Sequence, residues 1–160
     1  YFTGDTDAAA LRRATPEEQR VILEGVGPPF MINHALPPDA VVLLVGDATP
    51  WYHRRPVRYR TTWDRGPLSA AIRADPDPAA WTSALRKDGI THVMVDPAML
   101  QRWAASGWND PEITPARLAE LMRRARLVHR FPGGRLLMEL PPASLSGTDP
   151  PASDGDLGPE

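Results

Sequence analysis

Ala40-Val41-Val42-Leu43-Leu44-Val45-Gly46-Asp47 is an unbroken apolar run that stops at a glycine and a carboxylate. It is too short for a membrane span or a lone helix, and it lacks the alternation of a strand wetted on one face. It reads as a strand buried on both faces. Such strands occur chiefly in parallel sheets sandwiched by helices, where binding sites lie just beyond the carboxyl ends of the strands. Gly46-Asp47-Ala48-Thr49-Pro50 is therefore the first place to look for function.

Outward from that run, Ile90-Thr91-His92-Val93-Met94-Val95-Asp96 repeats the pattern after a helix closed by Gly89. The order helix, Gly, strand, Asp-Pro is half of a βαβ unit. Between the two runs, Val57, Tyr59, Thr61 and Trp63 alternate with Arg58, Arg60 and Thr62, which predicts a strand with one packed and one wet face. Asp64-Arg65-Gly66-Pro67 opens a helix to about Ala74, and Asp75-Pro76-Asp77-Pro78 caps one carrying Trp81, Ala84 and Leu85. Asp96-Pro97 and Thr114-Pro115 open two more. Leu127 to Phe131 and Arg135 to Leu140, joined by Pro132-Gly133-Gly134, read as an antiparallel hairpin. The expected fold is α/β: a three-layer domain with a mostly parallel sheet, helices on both faces and a C-terminal antiparallel hairpin. Residues 1–36 form a helical N-terminal segment packing on it, with Thr15-Pro16-Glu17-Glu18 as one helix start. Residues 37–140 are the α/β domain, and residues 141–160, with five prolines, four acids and no base, are expected to be a disordered tail.

Composition narrows the function. The 160 residues are 42% hydrophobic, enough for one domain with a core. The formal charge of −2 hides a mildly basic body, because residues 1–140 hold 18 basic against 16 acidic side chains. That excess is too small to argue for nucleic acid. Zero cysteine excludes disulfides and thiolate metal sites. There is no GxSxG, Walker A or GxGxxG, and the four histidines show no metal-ligand spacing. The chain opens on Tyr1-Phe2, which suggests a piece of something longer or a processed product.

Three acids, Asp47, Asp64 and Asp96, fall at predicted carboxyl ends of strands. Clustered there, they could hold a hard cation or contact a sugar; the stronger account makes Asp64 and Asp96 helix caps, which leaves Asp47 the least explained of the three. Trp51-Tyr52-His53-Arg54-Arg55, with Arg58, Tyr59 and Arg60, places four arginines and three aromatics in ten residues without an acid. Such a mixture can grip phosphate and stack on a ring, although Arg58 and Arg60 lie on the expected solvent face. His92 is expected to be a hydrogen-bonded core residue. Trp63, Trp81 and Trp103 are expected in the core, and Trp51 and Trp108 in loops that suit a membrane surface or a partner.

The order of phrases also carries a likeness. Ile32-Asn33, Leu36-Pro37-Pro38-Asp39-Ala40, Val42-Leu43-Leu44-Val45-Gly46-Asp47-Ala48, Tyr52, Arg55-Pro56-Val57, Thr62-Trp63-Asp64 and Asp88-Gly89-Ile90-Thr91-His92-Val93 follow one another in turn. Together, over residues 28–140, they resemble the carboxyl-terminal extracytoplasmic domain of bacterial multi-pass membrane glycosyltransferases of the dolichyl-phosphate-mannose and aminoarabinose transferase type. The resemblance implies a parent enzyme that takes a sugar from a polyprenyl-phosphate donor at the extracytoplasmic face of the cell membrane. It also implies that the catalytic carboxylate lies in a loop between early membrane helices, a motif that no position here matches. The chain is thus expected to be a non-catalytic accessory domain without cofactor or metal, whose partner is the membrane-embedded portion of its own parent. Trp51, Arg54 and Arg55 would face lipid-phosphate head groups, and Asp47 the crevice. Two other readings stay open: an independent α/β domain binding a nucleotide or sugar phosphate, and a protein-interaction module.

Overall fold

Val42–Val45 (β1) and His92–Val95 (β3) are buried at every position and run side by side in the same direction, with Val42 beside His92 and Val45 beside Val95. The computed structural model that shows this describes residues 4–61 and 63–142. Alternate residues of β1 enter opposite cores: Leu43 and Val45 on one face, Val42 and Leu44 on the other. An unbroken apolar run is what a strand needs when neither face is wet. His92 is held inside the sheet by a 2.8 Å hydrogen bond between its Nδ1 and Thr91 Oγ1.

Val57–Arg58 (β2) pairs parallel with the start of β1, and Leu136–Glu139 (β5) pairs antiparallel with β3 and with Arg126–Arg130 (β4). The sheet is mixed, in the order β2-β1-β3-β5-β4. The β4–β5 hairpin turns on Gly133 and Gly134, both at φ +84°, a conformation that glycine adopts without a Cβ clash.

β2 is far shorter than the alternation through Trp63 predicts. The chain leaves the sheet because Arg60 turns inward and donates to the Asp64 carbonyl at 2.9 Å, while Thr61 Oγ1 donates to the Asp64 carboxylate at 2.8 Å. These bonds tie Arg60 and Thr61 back to Asp64, and Trp63 stands outward, 85% exposed. The core position expected for Trp63 and the solvent position expected for Arg60 are both overturned.

One face of the sheet is covered by Pro67–Ala74 (α4), Pro78–Lys87 (α5) and Pro115–Arg124 (α7). Leu68, Ile72, Trp81, Leu85, Leu118 and Leu121 pack there against Leu43, Val93 and Val95. Asp77 and Thr114 cap α5 and α7 by accepting from Ala79 N and Arg117 N, and each helix has proline in its first turn, where no N–H is missed. The other face is thinner. Pro28–Phe30 (α3) runs into a π-helical turn, Met31–Ala35, and Met31, Ile32 and Leu36 meet Val42, Leu44, Met94 and Leu137. Upstream lie Gly4–Arg13 (α1) and Pro16–Glu24 (α2). Thr15 opens α2 with a capping box, its N–H donating to Glu18 Oε2 at 2.8 Å. The acidic tail beyond residue 142 lies outside the described residues.

Pro97–Ala105 (α6) buries none of its residues, in contrast to α4, α5 and α7. It leaves β3 at Asp96 and leans across the carboxyl edge of the sheet. A Cβ on Gly46, at the end of β1, would stand 3.1 Å from Leu100 Cγ.

Candidate functional site

Asp47 and Asp96 follow the ends of β1 and β3, whereas Asp64 lies in the turn after β2 has ended at Arg58, away from the predicted strand end, and each of the three is engaged by neighbouring groups. Asp47 Oδ1 accepts from Thr49 N at 2.8 Å and from Thr49 Oγ1. Asp64 takes the Thr61 hydroxyl. Asp96 caps α6 through Met99 N at 2.9 Å, and its other oxygen meets Arg135 Nε at 3.0 Å. Among the described residues no group of three or more His, Asp or Glu side chains could hold a metal ion. At the ends of β1 and β3, where an open α/β sheet commonly binds its ligand, the start of α6 packs closely on Gly46, a Cβ there standing 3.1 Å from Leu100 Cγ.

The arginine and aromatic run divides into parts with different surroundings. Pro50–Tyr52 is a single 3-10 turn that presents Trp51 at 72% and Tyr52 at 65% exposure. Asn33, on the π-helical turn, pins its far end: the Asn33 amide donates to the Tyr52 carbonyl at 3.0 Å and accepts from Arg54 N at 2.6 Å. The Arg54 side chain is exposed. Arg55 reaches back, donating to the carbonyls of Pro38 at 3.2 Å and Leu36 at 3.4 Å, so its guanidinium fixes the approach to β1. Burial pushes the His53 imidazole below the usual histidine range, against the opposing pull of the Asp47 charge.

Arg60 goes elsewhere. Its Nη1 donates to Asp110 Oδ2 at 2.9 Å, with only 10% of the Arg60 side chain and 4% of the Asp110 side chain exposed. Ser69, fully buried on α4, donates to the same oxygen, and Asp110 Oδ1 accepts from Glu112 N at 2.9 Å. The guanidinium carbon stands 5.9 Å from the centre of the Trp103 ring, and a Cβ on Gly66 would press on the Arg60 stem at 3.3 Å. With its oxygens filled and a cation beside it, Asp110 is a brace between three segments rather than a base. Sequence reading left Asp110 in a loop. Its partners lie 41 and 50 residues away, and the one local hint was a serine, Ser69, on the apolar side of α4.

Beside this brace, Trp63 and Trp108 stand with ring centres 6.2 Å apart, 85% and 57% exposed. Behind it, α6 and α7 diverge around a cleft of about 460 Å³ with Val95 among its lining residues.

No family model, curated protein or solved structure matches this chain. Among the described residues no helix is long and apolar enough to cross a membrane.

Proposed function

We propose that this chain is a non-catalytic accessory domain of a membrane glycosyltransferase that uses polyprenyl-phosphate-linked sugars, standing on the extracytoplasmic side of the membrane. The phrases that carry the resemblance support it, since they build β1, β2, β3 and the turns between them. The observation that carries the reading furthest is the Trp63–Trp108 pair, two large exposed rings with centres 6.2 Å apart. An exposed and amphipathic pair of rings is suited to an interface with one apolar and one wet side. In this reading the pair and the Trp51–Tyr52 turn meet the membrane-embedded part of the same parent. The carboxylates at the strand ends serve as caps and turn anchors, and the chemistry belongs to the parent.

A transfer assay tests it. Residues 1–160, incubated with a polyprenyl-phosphate mannose donor and an acceptor peptide, are expected to transfer nothing above the protein-free rate. Turnover that disappears with Asp47→Ala would overturn the accessory role.

A further inference from the structure

The cleft between α6 and α7 belongs neither to the strand-end carboxylates nor to the exposed rings, and its geometry has a cause. α7 is held to the sheet and to α5 by Leu118 and Leu121, both deep in the core. α6 rests on the same core through Leu100, which also stands against Gly46 at the end of β1. The loop between them is nailed down by Asp110. Both helices rest on that core while the Asp110 loop fixes the chain between them, and the cleft lies where the two helices meet the loop. Protein interiors rarely keep a gap larger than a few waters, and about 460 Å³ falls within the span of small-molecule clefts.

The lining sets the chemistry. Leu100, Ile113, Leu118 and Met122 make apolar walls. The one charged residue among the lining groups, Asp110, is already neutralised by Arg60 and Ser69. Gln101 and Asn109, both exposed, offer amides at the rim. We infer that this cleft is a preformed binding site for a small uncharged amphiphile, with a hydrocarbon body between α6 and α7 and one hydroxyl, carbonyl or amide group at the Gln101 and Asn109 rim. The inference does not depend on the parent being a transferase.

The test is an NMR titration of the isotope-labelled chain with n-hexanol, n-octanol and octanoate. Both alcohols are expected to give saturable shifts centred on Val95, Leu100, Ile113 and Met122. Octanol should bind about tenfold more tightly than hexanol, because each buried methylene is worth about a three- to fourfold gain. Octanoate should bind at least tenfold more weakly than octanol, since among the described residues no Lys or Arg lines the cleft. Ala104→Phe, an exposed position on the cleft wall, should abolish the octanol shifts while leaving the β1 and β3 amides in place; Gln101→Trp repeats the block from the rim. Shifts scattered over the surface would overturn the site. Octanol binding untouched by both blocking variants, or octanoate binding as tightly as octanol, would do the same.

Discussion

A Cβ on Gly46 would stand 2.7 Å from the backbone oxygen of Asp96, closer than carbon and oxygen can approach. The first residue after β1 is therefore pressed against the residue that opens α6, and Gly46 also holds φ +87°. Gly46→Ala is expected to destabilise the fold by about 2–4 kcal/mol, from a strained φ together with overpacking against fixed backbone. Urea unfolding measures it. A change within about 0.5 kcal/mol, the range of ordinary surface substitutions, would mean that α6 does not rest on this edge.

The Arg60–Asp110 pair makes a second prediction. Asp110→Ala leaves a guanidinium almost fully buried without its carboxylate, and removing one member of a buried ion pair costs about 3–5 kcal/mol. Adding Arg60→Met should recover part of that loss, because the stranded charge goes with it. Strictly additive losses in the double-mutant cycle would show that the two residues do not act as a unit.

The histidines set a pH dependence. Burial lowers the pKa of His92 and of His53 from the ordinary value of 6.5. For His92, the charge of Glu139 opposes burial, while Arg86 and Arg126 reinforce it. Well above pH 6.5 both imidazoles are neutral, folded or unfolded, and contribute no slope. As pH falls below 6.5 the unfolded chain takes up protons that the folded chain does not, so stability drops until the depressed folded values are passed. Denaturation midpoints between pH 7.5 and 5.5 should show this loss, and His92→Gln should flatten it. An unchanged slope in that variant would remove His92 as a cause.

Trp63 should matter little to the fold. At 85% exposure it contributes little buried area, so Trp63→Ser is expected to change stability by less than about 0.5 kcal/mol. A loss above about 1.5 kcal/mol in thermal or urea unfolding would place the ring in the packed structure and weaken its assignment as a docking group.

Much of this fold was legible because its signals are local. The unbroken runs at Val42–Val45 and His92–Val95 had no polar face to offer, and proline after Asp77, Asp96 and Thr114 marked helix starts that the side chains cap as expected. Local signals failed where a distant partner decided the outcome. Period two from Val57 to Trp63 described a strand, yet one hydrogen-bonded turn and a carboxylate 50 residues away pulled Arg60 in and sent Trp63 out. The same limit hid the brace at Asp110, which needs three separate segments to meet. At the strand ends, the competing reading of Asp96 as a helix cap was available from Asp96-Pro97 alone, and it describes the bond to Met99.

The central claim is that the exposed tryptophan pair meets the membrane-embedded part of the same parent. The most direct measurement is photocrosslinking in intact membranes of cells making the full-length parent, with a benzophenone amino acid in place of Trp63 and the adducts mapped by mass spectrometry. The account predicts adducts with membrane-spanning segments of the parent transferase itself. Adducts confined to separate water-soluble proteins, or a parent with no membrane-spanning segments, would contradict it.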